Sequence, residues 1–255
     1  MEILLFYKEK YFFSLFKEKT MVSKNIYVIP MSVLMSVLLL LAGFDAAAQN
    51  KQIDKLNFLY KKGFKMHFSG ERINYDHYNF PESKDKAFLE YNVTGDKQKG
   101  KEDVLGLFSS QNEGKDTISY NNFLYFNEAG MFFWVWDNAK KLKQKNKTQA
   151  ISLPLRVGKT WDSYYDKFNA KMECISTDSL VKTPIGDFKT FVVTVTFLDR
   201  KKDYDEEIKI VDFYNEDIGQ VKTQMSRTAI YKKDGEVRKK LSDTMLLADK
   251  MTKPE

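Results

Sequence analysis

The chain has 255 residues, of which 43% are hydrophobic and 30% are charged, and this composition excludes a largely disordered chain. The formal net charge is +6, from 41 Lys and Arg against 35 Asp and Glu, and so small an excess of mixed charges does not indicate a nucleic-acid-binding surface. We therefore expect a globular protein that binds no nucleic acid.

The N-terminal region has the pattern of an export signal. Lys24 precedes an apolar run from Ile26 to Phe44, and three alanines follow, ending at Ala48. This pattern predicts a signal peptide over residues 21–48 that is cleaved between Ala48 and Gln49. The run is also about as long as a single membrane anchor requires, but the small residues favour cleavage. We expect no stable membrane span after cleavage.

Residues 1–20 would make an unusually long segment before the apolar run of a signal peptide. We therefore expect that translation starts at Met21 and that residues 1–20 are a start-site artefact. No cysteine stands at the cleavage site, so the lipid attachment of bacterial lipoproteins is not expected. The remaining residues, 49–255, are predicted to form a single β-rich domain in the periplasm or outside the cell.

The first predicted element after cleavage is a short helix over Lys51–Lys62, where apolar residues such as Ile53 and Leu56 could share one face. From Phe64 onward the apolar residues mostly alternate with polar ones, which is the pattern of β-strands. A second short helix is predicted near Asp162–Phe168. Short turns between strands indicate an antiparallel meander.

The aromatic peak of the sequence lies between Asn121 and Asp137. The pattern of residues 127–130 predicts a four-residue hairpin loop. Such a loop sets a register in which Phe126 pairs with Met131 and Phe123 with Trp134. One face of this hairpin then carries an aromatic set: Phe123, Tyr125, Phe132, Trp134 and Trp136. The other face carries a second apolar set: Leu124, Phe126, Met131, Phe133 and Val135. Two apolar faces indicate either core packing on both sides or a groove in which the aromatic set binds a lipid, glycan or peptide.

Gly158-Lys159-Thr160 resembles the end of a phosphate-binding loop, but Leu153 stands where that motif requires its first glycine. No nucleotide and no other cofactor is therefore expected. The two histidines have no metal-ligand spacing, so no metal site is predicted. Cys174, the only cysteine, shares a strand face with Met172 and is interpreted as a buried thiol. The sequence contains no recognisable catalytic residues.

The longest strands are predicted in the second half of the chain. In the stretch 190–197, Phe191, Val193, Val195 and Phe197 form a core face, and the alternating residues are expected to face water. Apolar residues change parity between Ile210 and Val211, which predicts a β-bulge at that point.

Three short motifs of Pro, Gly and aromatic or apolar residues in the second half of the chain resemble those of a known family. They are Pro154, Gly158 and Trp161; then Pro184, Gly186 and Phe188; and finally Tyr214, Gly219 and Val221. Their order and spacing over residues 150–232 resemble a TapB-like family of exported proteins of Gram-negative bacteria, whose members mostly have no assigned activity. The resemblance implies a mainly β fold, a curved antiparallel meander sheet that forms an open half-barrel, similar to lipoprotein-carrier domains, with one or two short helices. In such a sheet Trp161 is expected to cap an open end.

Two functions are compatible with these features. The protein is either a non-enzymatic carrier or binding module for an apolar ligand, lipid or peptide, or an envelope structural or interaction protein with a filled core. A lipid, a lipoprotein or an envelope protein is the expected partner. An envelope hydrolase ranks third, because no catalytic constellation supports it.

Overall fold

The computed structural model describes residues 51–99, 102–113, 116–136, 147–165, 168–201, 204–233 and 236–254. Residues 1–20, the predicted signal peptide and its cleavage site at Ala48 and Gln49 lie outside these ranges. Within them, no helix has the length and apolarity needed to span a membrane.

The described chain folds into one antiparallel sheet of twelve strands. The strands are β1 Lys65–Tyr75, β2 Pro81–Lys99, β3 Glu102–Glu113, β4 Asp116–Asn127, β5 Gly130–Trp136, β6 Thr148–Ser152, β7 Thr160–Tyr165, β8 Phe168–Thr183, β9 Gly186–Lys201, β10 Tyr204–Asn215, β11 Gly219–Lys233 and β12 Glu236–Thr252. Their order is β6-β5-β4-β3-β2-β1-β12-β11-β10-β9-β8-β7, so β1 pairs with β12 and all other neighbours are consecutive in the chain.

The two ends of this strand order approach each other along a seam between β6 and β7. The seam is held by side chains: the Gln149 amide donates to Ser163 Oγ at 2.7 Å, and Trp161 Nε1 donates to the Gln149 carbonyl at 2.9 Å. Thr148 Oγ1 also donates to the Tyr164 carbonyl. The predicted curved antiparallel meander is thus confirmed, and the seam makes the sheet a nearly closed barrel.

The helix predicted over Lys51–Lys62 is wrong. Residues 51–64 form an extended segment, the N-terminal strap, which crosses the barrel end where the β4–β5, β8–β9 and β10–β11 turns lie. Its amides donate to carbonyls of distant segments: Ile53 to Leu155 at 2.8 Å, Asn57 to Glu216 at 3.2 Å, and Leu59 to Asp217 at 2.8 Å. An α-helix over Lys51–Lys62 would use the amides of Asn57 and Leu59 for bonds to carbonyls four residues back, so their long-range bonds exclude it.

The second predicted helix, near Asp162–Phe168, is also wrong. Most of that stretch belongs to β7 and to the start of β8, which pair as a hairpin with Trp161 opposite Met172 and Tyr165 opposite Phe168. Alternation of buried Ser163 with exposed neighbours follows from this strand pairing, and residues 166–167 lie outside the described ranges.

The core face predicted for β9 is confirmed, since Phe191 and Val193 are each only 1% exposed. The opposite face is not the water-facing surface that we expected, because Thr190 and Thr194 are also buried. Their hydroxyls donate to carbonyls of the neighbouring strand β8, Thr190 to Ser179 at 2.9 Å and Thr194 to Glu173 at 3.4 Å.

The bulge predicted between Ile210 and Val211 is wrong in position. The pairing of β10 with β11 is regular there and shifts between Phe213 and Tyr214 instead. Apolar residues occupy both faces of β10 without a change of register. Ile210 lines the interior, whereas Phe213 lies on the outer face, where Lys222 Nζ is 4.6 Å from the centroid of the Phe213 ring. The change of parity in the sequence therefore reflects two apolar faces.

Candidate ligand-binding cavity

The barrel interior contains a partly open cavity of about 740 Å³. Most of its lining is apolar and comes from strands on both sides of the seam, including Met131 and Phe133 of β5, Met172 of β8, and Val193 and Val195 of β9. These side chains point inward because successive residues of a strand alternate between the two faces of the sheet. The sheet thus surrounds a space that can hold an apolar molecule.

The N-terminal strap lies at one end of this cavity. Phe58 stacks on Phe191 and on Tyr214, with ring centroids 6.4 and 6.0 Å apart and ring planes within 10°. It also meets Phe126 and Tyr60 edge-on. Offset stacks and edge-on contacts are the favourable arrangements of aromatic rings. The strap therefore packs into the barrel as part of its core.

Tyr60 connects the strap to the turn between β10 and β11. Its hydroxyl oxygen accepts a hydrogen bond from the amide of Gln220 at 3.1 Å, and burial raises the pKa of this phenol to about 12. Gly219 has a φ of +89°, and a Cβ at this position would lie 2.3 Å from the Tyr60 hydroxyl oxygen. Only glycine leaves room for the ring.

Asp212 lies next to this turn and faces the cavity. Its carboxylate accepts hydrogen bonds from Gln220 Nε2 at 2.7 Å and from the Tyr214 hydroxyl at 3.3 Å. Burial raises the pKa of Asp212 to about 6, although hydrogen bonds from Thr223, Gln220 and Tyr214 act in the opposite direction. Burial also raises the pKa of Tyr214, and the nearby Asp212 charge adds to that rise. The carboxylate is therefore held by neutral donors.

A second polar group of side chains lines the cavity on the strands β12, β1, β3 and β4, and we call it the polar sector: Arg72, Ser109, Gln111, Asn112, Asn122 and Thr244. Arg72 Nη2 donates to the Asn112 carbonyl at 3.2 Å, and its Nε lies 3.4 Å from Thr244 Oγ1. Asn122 Nδ2 donates to Ser109 Oγ at 2.8 Å.

Two features of the polar sector are unusual for a barrel interior. Among the described side chains, no carboxylate forms an ion pair with Arg72. Asn122 Oδ1 is buried and has no hydrogen-bond partner in the same part of the chain. Buried polar groups are nearly always hydrogen-bonded in folded proteins, so this lining has spare capacity for polar contacts.

The aromatic hairpin has the register predicted from its sequence. Phe126 pairs with Met131 and Phe123 with Trp134, and the turn closes between Asn127 and Gly130. The cavity is lined by the second apolar set, through Leu124, Met131 and Phe133.

The aromatic set lies on the other face. There Phe123 is buried with Val104, and Lys147 Nζ lies 4.3 Å from the ring centroid of Tyr125 and 4.9 Å from that of Phe132. The side chains of Trp134 and Trp136 lie outside the described residues. A ligand role for the aromatic set stays a prediction, and none of its described members lines the cavity.

The first motif surrounds the loop between β6 and β7. The Gly158 amide donates to the Cys174 carbonyl at 2.8 Å, and Lys159 Nζ donates to the carbonyls of Ser152 and Pro154 at 2.9 and 2.8 Å. Lys159 therefore fastens its own loop instead of extending into water. Trp161 bridges the seam by its bond to Gln149, rather than capping an open end.

The other two motifs lie at the strap end. Pro184 and Gly186 form the turn between β8 and β9, and Phe188 packs against the core beside it. Tyr214, Gly219 and Val221 surround the turn that receives the strap. Val221 is fully buried, and Tyr214 carries the stack with Phe58. Each motif position thus has a packing or turn function in the sheet.

The predicted buried thiol is confirmed. Cys174 has no exposed surface, its Sγ lies 3.5 Å from the Ser176 carbonyl oxygen, and burial raises the thiol pKa to about 11. His67 lies outside the cavity, where its Nδ1 is 2.6 Å from Asp249 Oδ1, and His77 packs on Tyr78. No cluster of potential metal ligands occurs in the described ranges.

The polar residues of the cavity were missed by sequence analysis, although a signal was present. In β1, Arg72 has the same parity as Met66 and Phe68, and in β10, Asp212 has the same parity as Ile208 and Ile210. A charged residue at a core-facing position of an amphipathic strand indicates a site that requires a charge.

No family model and no curated protein matches the chain. Among solved structures, it is similar to a protein from Bacteroides fragilis described as exported and as having a YmcC-like fold, with 13% identity and a TM-score of 0.44 over 78% of this chain and 99% of that one. A second similar structure is a protein from Parabacteroides distasonis described as a lipoprotein, with 11% identity and a TM-score of 0.34 over 78% of this chain and all of the other.

Proposed function

We propose that this protein is an exported, non-enzymatic carrier or binding module that holds an apolar ligand, a lipid or a peptide, inside its barrel. The observation that carries the proposal is the cavity of about 740 Å³ with a largely apolar lining. Pockets for small molecules measure about 300–1,000 Å³ and combine apolar walls with a few polar groups. An interior of this volume favours a carrier over a structural protein with a filled core.

Export to the periplasm or the cell exterior is part of the proposal, and it is supported by the signal-peptide pattern that ends at Ala48. Membership of the TapB-like family is also proposed, on the order and spacing of the three motifs in residues 150–232. The non-enzymatic character is supported by the cavity lining, which within the described residues contains neither His nor Cys. Asp212, its buried carboxylate, is already held by neutral donors.

The test is ligand recovery combined with binding of a neutral probe. We would purify the exported protein and analyse it by native mass spectrometry and lipid extraction, and then titrate the delipidated protein with the uncharged fluorophore N-phenyl-1-naphthylamine. We expect a stoichiometric apolar ligand in the purified protein and saturable probe binding after its removal. A protein that is repeatedly empty and does not bind the probe would overturn the proposal.

A variant that fills the cavity sharpens this test. Ala150 lines the cavity and is 7% exposed, so Ala150→Phe should reduce probe binding by occupying the space. Leu180→Phe is the matched control, because Leu180 is 65% exposed and does not line the cavity. If both variants bind the probe as the parent does, the probe binds elsewhere and the cavity has no binding function.

A further inference from the structure

The arrangement of charge inside the cavity specifies the ligand further. Resting on the proposed function, we propose that the polar sector is the head-group site for an anionic amphiphile, a single acyl chain with a carboxylate or phosphate head, and that Arg72 binds this head. Four features support this site: the position of Arg72, its remaining hydrogen-bonding capacity, the apolar surface across the barrel and the location of Asp212.

Arg72 is placed in the interior by the register of the sheet. Arg72 lies opposite Thr244 of β12. Gly70, two residues earlier on the same face of β1, is so close to β12 that a Cβ added to Gly70 would lie 1.8 Å from the Met245 carbonyl oxygen. Strands β1 and β12 stand in the middle of the strand order, whereas β6 and β7 form its two ends. Because those ends meet at the seam, Arg72 and Thr244 lie across the interior from the seam.

The guanidinium has donors to spare. Arginine carries five N–H donors, and the two hydrogen bonds of Arg72 within the described residues go to neutral oxygens, those of Asn112 and Thr244. A cation in a partly dry cavity is costly without a counter-charge, and the described side chains provide it with none by ion pairing. The planar guanidinium matches the geometry of a carboxylate or phosphate, which it binds through two parallel bonds.

The neighbours of Arg72 complete a polar surface for such a head. Gln111 lines the same sector, and Asn122 has one buried amide atom without a partner in the described chain. The oxygen and nitrogen of an asparagine amide can exchange places by a flip, so Asn122 can present either an acceptor or a donor to a ligand. An uncharged hydrocarbon would leave the remaining N–H donors of Arg72 and the buried amide oxygen of Asn122 unused. A carboxylate or phosphate oxygen would accept hydrogen bonds from Arg72 and from the flipped Asn122 amide.

The opposite wall suits an acyl chain. The strands next to the seam contribute Met131, Phe133, Met172, Val193 and Val195 to the cavity lining. Burial of acyl carbons against this wall removes apolar surface from water and thereby favours binding of the chain. The cavity therefore offers a charged contact on one side and an apolar contact on the other, as an amphiphile requires.

Asp212 favours the same orientation. It carries the only carboxylate among the described lining residues, and its two oxygens already accept bonds from Gln220 and Tyr214 at the strap end. An anionic head placed there would be repelled by the Asp212 carboxylate, which is a like charge. The head is thus directed to Arg72 on β1, and away from the strap.

The experiment compares four ligands that each have a twelve-carbon chain. Dodecanoate, dodecanol and dodecyltrimethylammonium would each displace N-phenyl-1-naphthylamine from the delipidated protein, and dodecyl phosphate would show which anionic head is preferred. We expect dodecanoate or dodecyl phosphate to bind about tenfold or more tighter than the alcohol and the cation, since a charge-assisted hydrogen bond contributes about 1.5–3 kcal/mol. Equal affinities for all four ligands would overturn the proposal.

Variants of Arg72 assign the effect to this side chain. Arg72→Gln should weaken binding of the preferred anion about tenfold and leave dodecanol affinity unchanged, whereas Arg72→Lys should keep part of the preference. Arg200→Gln is the control, because Arg200 is exposed and does not line the cavity. If circular dichroism shows that Arg72→Gln does not fold, the binding measurements on Arg72→Lys test the proposal instead. An anion preference and a salt dependence of binding that are both unchanged in Arg72→Lys would contradict a contact between Arg72 and the head group.

The result also separates this inference from the proposed function. If the neutral probe binds and the ligands displace it without preference for an anion, the carrier function stands and the head-group site is refuted. If neither the probe nor any dodecyl ligand binds, the carrier function itself fails. Binding of inorganic phosphate alone, without any effect of the dodecyl chain, would likewise refute an amphiphile as the ligand.

Discussion

Replacing Phe58 by alanine should loosen the N-terminal strap and lower the stability of the whole barrel. Phe58 is partly buried, and its ring contacts four others: Tyr60, Phe126, Phe191 and Tyr214. Truncation of a fully buried phenylalanine costs about 3–5 kcal/mol, so partial exposure places the expected loss near the lower end, at about 3 kcal/mol. A domain of this size loses about 2–4 °C of melting temperature for each kcal/mol, which gives about 6–12 °C.

The assay is equilibrium unfolding in urea, combined with hydrogen exchange of the strap amides. Lys55→Ala is the matched control, because Lys55 is an exposed residue of the same segment. In Phe58→Ala the amides of Asn57 and Leu59, which donate to the turn at Glu216 and Asp217, should exchange faster than those of the β-strands. A loss below about 1 kcal/mol, equal to that of Lys55→Ala, would refute the inclusion of the strap in the core.

Two further predictions concern Asp212 and the seam. The pKa of Asp212 rises from 3.8 to about 6 on folding, so the folded state binds the proton more tightly, and stability should fall as pH rises from about 4 to about 6. The whole decrease in the free energy of unfolding amounts to about 3 kcal/mol, and urea unfolding at several pH values would measure it. Asp212→Asn should remove this decrease, whereas the control Asp217→Asn should keep it. If Asp212→Asn keeps the decrease, the prediction is wrong. At the seam, Trp161→Phe removes the donor to the Gln149 carbonyl and should cost about 1 kcal/mol in urea unfolding. Tyr164→Phe, at a side chain 51% exposed, is its control, and an equal effect of both would contradict a seam role for the indole.

The fold was predictable from local patterns at hairpins whose turn residues are recognisable in the sequence. The hairpin of β4 and β5 has its register fixed by the turn at residues 127–130, and for that reason the pairing of Phe126 with Met131 followed from the sequence alone. The turn at Pro184 and Gly186 could be placed in the same way.

The strap could not be predicted, because its apolar spacing fits two structures. Residues such as Ile53 and Phe58 satisfy a helical stripe, and they equally satisfy an extended segment that buries successive side chains in different places. The choice depends on acceptors at Leu155, Glu216 and Asp217, which lie far away in the chain. Intrinsic preference for a helix is worth a few tenths of a kcal/mol per residue and is overridden by such contacts.

The cavity was beyond sequence analysis for a related reason. The concentration of aromatic residues in the aromatic set favoured that face as the binding face, whereas the cavity is lined by the other face of the same hairpin. Which face turns inward depends on the direction in which the sheet curves, and the alternation of residues is the same in both directions. That Arg72 and Asp212 line one cavity becomes apparent only when β1 and β10 are seen to surround the same space.

The seam between β6 and β7 also covers the two outermost strand edges of the sheet. The outermost strands of an open sheet expose rows of amide and carbonyl groups that can recruit a strand from a second molecule. Here each outer strand turns its free edge toward the other, and Thr148, Ser163 and Trp161 occupy the space where such a strand would dock. The same three side chains that close the barrel therefore also shield these two strand edges from pairing with a second molecule.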